Sequence, residues 1–230
     1  MPLLKNAIKF GISAAIAIAV IVSSISTSTS SPILGTGLFG SSNDSGNTNT
    51  QTSEQKTLRI GYFPNINHAQ AVIGLGRGDF QKALGDNVEV KTQIFNAGPA
   101  AIEALFANQI DVTYVGPGPA INGYVRSGGE ALRIISGAAS GGAVFVVRND
   151  SGINTPQDLA NKKFSSPQLG NTQDVALRKY LLDKGYKTKE NGGNVEVIPA
   201  KNADIVSLMI KKDIDGAWVP EPWGAKLIKE

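Results

Sequence analysis

The chain has no cysteine among its 230 residues and only one histidine, His68. The first absence excludes disulfides, thiol catalysis, Cys-ligated metals and a lipid-modified N-terminal cysteine. The second excludes any metal site built from several histidines. A Ser-His-Asp triad would have to use His68, and no nucleophile-elbow sequence is present. A large excess of one charge is also missing: 22 Lys and Arg stand against 19 Asp and Glu, a net +3. The basic residues are scattered, without the Lys/Arg stripe and interleaved aromatics of a nucleic-acid surface. No cofactor, no metal and no nucleic-acid partner are therefore expected, and enzymatic chemistry has few residues to use. Gly74-Leu75-Gly76-Arg77-Gly78 lies late in a helical pattern rather than directly after a strand, so it fails the dinucleotide fingerprint and the P-loop pattern. Arg77-Gly78-Asp79 reads as a coincidental tripeptide. Asn43-Asp44-Ser45 and Asn149-Asp150-Ser151 match the weak glycan-acceptor pattern.

The N-terminus carries a targeting pattern. Lys5 and Lys9 precede an almost uninterrupted apolar run from Phe10 to Ile25. The run is slightly short for a spanning helix and long for a signal peptide, and no sharp small-x-small cleavage site follows. Residues 1–26 are read as a signal peptide or an uncleaved signal anchor. Residues 27–56, rich in Ser, Thr, Asn and Gly, read as a flexible tether. Together they place the rest of the chain outside the cytoplasmic membrane, tethered by the N-terminal segment.

From Thr57 onward strand and helix patterns alternate. Strands are expected at Thr57 to Phe63, Val88 to Phe95, Ile110 to Val115, Leu132 to Ile135, Val144 to Val147, Val195 to Ile198 and Ile214 to Val219. Helices are expected from about His68 to Leu84, around Ile102 and Phe106, around Ile121 and Val125, over Val175 to Lys184, and around Ile205 and Met209. Thr155-Pro156-Gln157-Asp158 has the form of a capping box. The alternation means an α/β fold with largely parallel sheets. Four strand-to-helix loops are rich in Gly, Pro and Asn: Asn65 to His68, Asn96 to Pro99, Gly116 to Pro119 and Gln168 to Thr172. Ligands of open α/β sheets bind beside such loops, at the carboxyl ends of strands.

The stretch Ser165 to Asp174 is the most informative of these. Lys163-Phe164 runs into small polar residues and then into a helix, and Asn171 and Thr172 are good N-cap residues. The unpaired N–H groups of a first helical turn carry partial positive charge and can hold an anion with no Lys or Arg. His68 is either a satisfied structural group or part of the same ligand face. Trp218 and Trp223 flank Val219-Pro220-Glu221-Pro222, where they can pack against the last strand or cover the apolar part of a ligand. Glu221 can be a hinge residue, a surface charge or the counter-charge for a ligand amine.

Several segments resemble the periplasmic binding proteins of the nitrate, sulfonate and taurine ABC importers. They are Ile60 to Pro64, Asn96 to Pro99 with Glu103-Ala104-Leu105, Ile110-Asp111-Val112 with Gly116, Pro167 to Asp174, and Asp215 to Trp218 with Glu221-Pro222-Trp223. Their order and spacing carry the resemblance, which runs from about Leu58 to the end. The related pyrimidine-precursor synthases of thiamine biosynthesis share that fold, but their Cys-rich signature is absent. The resemblance implies a two-lobed, type II periplasmic-binding-protein fold with mostly parallel sheets. Lobe one would span residues 57–143, and residues 144–230 would hold lobe two and the start of a return crossover. Members of that family continue further, so the chain is expected to be a truncated form. By position, the resemblance implies ligand contacts from Asn67, His68, Gly98, Pro99, Gly116, Pro117, Ser140, Gly141, Gln168, Asn171, Thr172, Trp218 and Glu221. The implied function is a non-enzymatic, monomeric solute-binding component that takes a small anion, an aliphatic sulfonate or taurine first, and delivers it to an ABC permease. Nitrate or bicarbonate binding, an enzyme acting on a pyrimidine or thiamine precursor, and a tethered sensor are the alternatives.

Overall fold

The computed structural model describes residues 19–22 and 55–229. The other residues of the expected targeting segment and tether lie outside these described residues. Two sheets organise the molecule. The first is built on β2 (Lys56–Tyr62), which pairs in parallel with β3 (Val88–Ile94) on one side and β4 (Val112–Val115) on the other. The strand β1 (Ala19–Val22) lies antiparallel between β4 and β5 (Ile134–Ser136), giving the order β3-β2-β4-β1-β5. Four residues of the apolar run expected in a signal segment thus fill a gap in this sheet. Their Ala-Val-Ile-Val sequence suits a strand, and both neighbours would otherwise present unpaired edges there. No described helix is long and apolar enough to cross a membrane.

The second sheet repeats the plan. Its centre is β7 (Lys163–Pro167), parallel to β8 (Glu196–Ala200) and to β9 (Gly216–Pro220), with β6 (Ala143–Val147) antiparallel at the far edge of β9. The two sheets even share a fastening. Asp111 accepts from the Arg59 backbone N–H at 2.8 Å and returns its own N–H to the Arg59 carbonyl at 2.9 Å. Asp215 does the same with Lys163, at 2.8 and 2.7 Å. Each aspartate stands just before the last parallel strand of its sheet and follows a buried isoleucine, Ile110 or Ile214. The short repeat Ile-Asp is its sequence trace.

Helices cover both faces of each sheet. On the first, α3 (Gly98–Phe106) and α4 (Pro117–Arg126) bury Ala101, Ile102, Leu105 and Ala120 with Phe63, Ile110 and Leu132, while α1 (Ala69–Gly76) packs Ala71 against Ile60 and Tyr114 on the other face. On the second, α5 (Thr172–Asp183) buries Leu177, Tyr180 and Leu181 over Phe164 and Val197. The opposite face takes Ile205 and Met209 of α6 (Asn202–Ile210) together with Ile214 and Val219, and α7 (Trp223–Lys229) closes it.

Most expected elements occur within two or three residues of their expected ends. The long helix expected from His68 to Leu84 is instead a 3-10 turn (Ile66–His68), α1, and a separate α2 (Asp79–Leu84). Gly78 stands between the helices at φ +70, a left-handed conformation that ends the first one. The Arg77-Gly78-Asp79 tripeptide is that break, with Arg77 and Asp79 paired across it at 3.1 Å. The capping box at Thr155 is present and opens a single 3-10 turn, Pro156–Leu159.

Candidate ligand-binding site

In both sheets the parallel strands end on the same side, and each ending loop enters a helix by its N-terminus. Four such helices, α3 and α4 on the first sheet and α5 and α6 on the second, open onto one cavity. Its walls are Phe63, Asn65, Asn67, His68, Asn96 and Gly116 from the first sheet, with Pro167, Asn171, Thr172, Gln173, Asn202 and Pro220 from the second. The inner chamber has a volume of about 20 Å³, room for a single water-sized group. Among the described residues, no Lys, Arg, Asp or Glu lines it.

The β2 exit shows how local chemistry fixes the wall. Asn65 caps the 3-10 turn by accepting the Asn67 N–H at 3.1 Å. The turn swings His68 back so that its Nδ1 accepts the Phe63 N–H at 3.0 Å, with the imidazole stacked on Phe63 at 4.2 Å. His68 is only 2% exposed. Burial pushes its imidazole down to about 3, so at neutral pH it is an uncharged ring. With Nδ1 accepting, its proton sits on Nε2.

Asn67 is buried beside it and reaches across to the crossover between the sheets, donating from Nδ2 to the Gly141 carbonyl at 2.7 Å. Its Oδ1 has no hydrogen-bond partner among the described residues. Gly142, at φ +79, would place a Cβ 2.5 Å from that oxygen, so only glycine lets the crossover pass so close. Asn202, 5% exposed at the start of α6, also buries an Oδ1 without a partner. One such acceptor comes from each sheet, and both belong to the cavity wall.

The two halves touch at Gly116 and Thr172. Gly116 is the N-cap of α4, and Thr172 opens α5. A Cβ on Gly116 would fall 2.2 Å from Thr172 Oγ1, and the Gly118 N–H points to the same oxygen at 3.4 Å. Behind Thr172, Asn171 caps α5 by accepting the Thr172 N–H at 2.7 Å. The first turn of α5 also holds a carboxylate of its own. Asp174, 2% exposed, accepts from Ser166 Oγ at 3.0 Å, from the Gly170 N–H at 2.9 Å and from Arg178 Nε at 3.1 Å. Part of the positive character expected for this helix entry is therefore taken up internally.

Of the residues implied by position, Asn67, His68, Gly116, Asn171 and Thr172 line the cavity. Gly98, Pro99 and Pro117 sit in the first turns of α3 and α4 behind the wall, where a Cβ on Gly98 would fall 2.3 Å from Pro119. Gly141 holds Asn67, and Ser140 is exposed in the crossover. Gln168 is at φ +53 in the β7 exit and outside the lining. Trp218 packs in the second core, stacked on Phe145 at 5.6 Å and edge-on to Tyr180 at 5.8 Å. Glu221 caps α7 through Oε2 at 2.9 Å from the Ala225 N–H. Its backbone joins the crossover to the first sheet, donating to Gly142 at 2.8 Å and accepting from Ile66 at 3.1 Å. Sequence reasoning missed Asn202. Its only signal is an asparagine opening a helical pattern directly after a strand, without the Gly-Pro marks of the other loops.

Known proteins agree with this architecture. A protein of Brucella abortus (strain 2308) whose name proposes a binding role is 28% identical over 166 residues, which cover 71% of this chain and 48% of that protein. The chain thus spans about half the length of the curated relatives it matches. The alkanesulfonate-binding protein SsuA of Xanthomonas axonopodis pv. citri, solved with MOPS bound, superposes with a TM-score of 0.57 at 18% identity, covering 74% of this chain and 56% of that one. The periplasmic nitrate-binding protein NrtA of Synechocystis PCC 6803 gives a TM-score of 0.59 at 17% identity, covering 76% and 49%. The fold is therefore the two-lobed one of the periplasmic binding proteins. The model of the NMT1-like family matches residues 51–230, and the chain belongs to that family.

Proposed function

We propose that this chain is the solute-binding part of an ABC importer, working outside the cytoplasmic membrane and presenting a small anion to a membrane permease. The observation that carries the reading is the meeting of four helix N-termini, two from each sheet, on a cavity whose wall, among the described residues, has no Lys, Arg, Asp or Glu. Unpaired N–H groups at these ends stabilise negative charge without a counter-ion. Uncharged donors such as Asn67, His68 and Thr172 then replace the anion's hydration shell. The two lobes, residues 57–143 and 144–230, would close on the ligand as hinged bodies. Their hinge is the pair of strands' ends tied by Asn67 to Gly141 and by Ile66 to Glu221.

An aliphatic sulfonate or taurine is the first choice of ligand, with nitrate and bicarbonate second. A tetrahedral head offers three oxygens to donors arriving from two sides. The unpartnered Oδ1 atoms of Asn67 and Asn202 suit an ammonium group or a water that accompanies the ligand. Titration calorimetry against taurine, alkanesulfonates, nitrate and bicarbonate tests this. Heat with a sulfonate and none with nitrate or bicarbonate is expected, and no heat with any sulfonate would remove the first choice.

A further inference from the structure

The strand β1 comes from within the apolar run that reads as a targeting segment. That run, Phe10 to Ile25, has sixteen residues. As a helix it would reach about 24 Å, against a bilayer core of about 30 Å. With Ala19–Val22 in the sheet, the longest remaining piece is Phe10 to Ile18, nine residues. Such a piece makes about 14 Å of helix and cannot cross a bilayer. The run therefore cannot complete the first sheet and span a membrane at the same time.

The sheet depends on β1 in two places. β4 pairs with β1 along all four of its residues, Val112 to Val115, but with β2 only at Val112 and Thr113. β5 pairs with β1 at Ile134 and Ser136 and, among the described residues, with no other strand. Both neighbours lead to the cavity. Tyr114 of β4 lies against His68, with ring centroids 5.9 Å apart. β5 runs directly into the crossover, where Gln70 donates to the Ala138 carbonyl and Asn67 to the Gly141 carbonyl. Without β1, β5 would have two open edges, and its exposed Ile134 and Ile135 would stand beside no strand.

We infer that the N-terminal apolar run is a strap with two seats. In one seat residues 19–22 join β4 to β5 and hold the start of the crossover. In the other the run enters a lipid bilayer and the two strands part. Either seat satisfies the backbone groups of residues 19–22, through neighbouring strands or through helix bonds. The same residues thus link the membrane to the sheet that carries Asn67 and His68, whatever ligand the cavity takes.

The test uses the whole chain, whose lack of cysteine lets an introduced pair report alone. Partners on adjacent antiparallel strands stand about 4.5–5.5 Å apart at Cα, within reach of a disulfide. Val20→Cys with Ser136→Cys probes the β1–β5 seam at an exposed position of β5. Ile21→Cys with Thr113→Cys probes the β1–β4 seam, so the test stays open if one pair does not fold. Ile21→Cys with Val115→Cys, two residues out of register, is the control. In buffer both seam pairs should cross-link within one chain in more than about half of the molecules, and the control in few. Vesicles of phosphatidylcholine and phosphatidylglycerol, added before oxidation, should lower that yield about fivefold or more. Chains cross-linked first should no longer sediment with the vesicles. No cross-link from either seam pair in buffer would overturn the strap. So would a yield that vesicles leave unchanged, or equal sedimentation of cross-linked and reduced chains.

Discussion

Gly116 meets Thr172 where the two halves of the cleft come together, and there is no room for even a methyl group between them. Its backbone, at φ −71 and ψ 159, is open to any residue, so Gly116→Ala would fold and then hold the halves apart. Ligand affinity should fall by about tenfold or more, some 1.4 kcal/mol, with little change in melting temperature. Calorimetry and a thermal melt on the same sample check both parts. His68 makes a different prediction. Its folded-state pKa, about 3, lies below the ordinary value of 6.5. Above pH 6.5 both folded and unfolded chains hold it neutral, and it contributes no pH dependence. Between pH 6.5 and 3 the unfolded chain takes up a proton that the folded one refuses. Stability should therefore fall with acid by up to about 1.4 kcal/mol per pH unit from this one group. The Asp111 carboxylate, held below its usual range by its hydrogen bonds with Arg59, loses stability in the same direction at lower pH. Urea midpoints from pH 7 to 4 should show a shallower slope in His68→Gln than in the unaltered chain.

At the scale of elements, α5 shows how a helix entry is built before any ligand arrives. Asp174 ties Ser166 at the end of β7, Gly170 in the turn and Arg178 one turn on. Its removal would leave Arg178, at 25% side-chain exposure, without its buried partner. Asp174→Ala should cost about 3 kcal/mol of stability by chemical denaturation, in the range for breaking a buried pair. A loss under about 1 kcal/mol would mean that water replaces the carboxylate at the turn. The β4 and β9 entries show the same economy twice: Asp111 and Asp215 fasten the centres of the two sheets by the same pair of backbone bonds. The second half differs at the next step, where β9 ends at Pro220 and Glu221 leads the chain into α7, whose first turn it caps.

For the molecule as a whole, binding by helix ends and uncharged side chains has a measurable signature. Among the described residues, no Lys, Arg, Asp or Glu lines the inner cavity, and the one titratable group of its wall, His68, stays neutral above about pH 4. Ligand affinity should change by less than about threefold between 0.05 and 0.5 M salt, because charges fixed in buried dipoles are little screened. It should also be flat from pH 5 to 9. A cleft that relied on a surface cation would lose affinity steeply with salt, so a tenfold loss over the same range would point to a charged partner group beyond the cavity wall.

Much of this was legible before the fold was known. Alternating periods gave the α/β class, and the four Gly-Pro-Asn loops after strands all reach the cavity's wall: through Asn65, Asn67 and His68, through Asn96, through Gly116, and through Asn171 and Thr172. Local chemistry suffices there, because N-caps and tight turns are chosen by residues a few positions apart. The break of the first helix at Gly78 was less legible, since a glycine inside a helical pattern can be tolerated or can turn left-handed. Asn202 could not be assigned to a site at all. It opens α6 after β8, and only the meeting of two sheets brings it to the cavity that Asn67 and His68 line. Nor could the sequence say that Trp218 packs against Phe145 on one face of the second sheet while Trp223 opens α7 over the other, because two tryptophans five residues apart look alike until strand pairing fixes which side each takes. The elements, their caps and the uncharged character of the loops follow from the chain's local order of residues, because short-range interactions set them. Which loops share a wall, and how much space they leave, was decided by the tertiary structure, because contacts between distant segments depend on how the sheets pack.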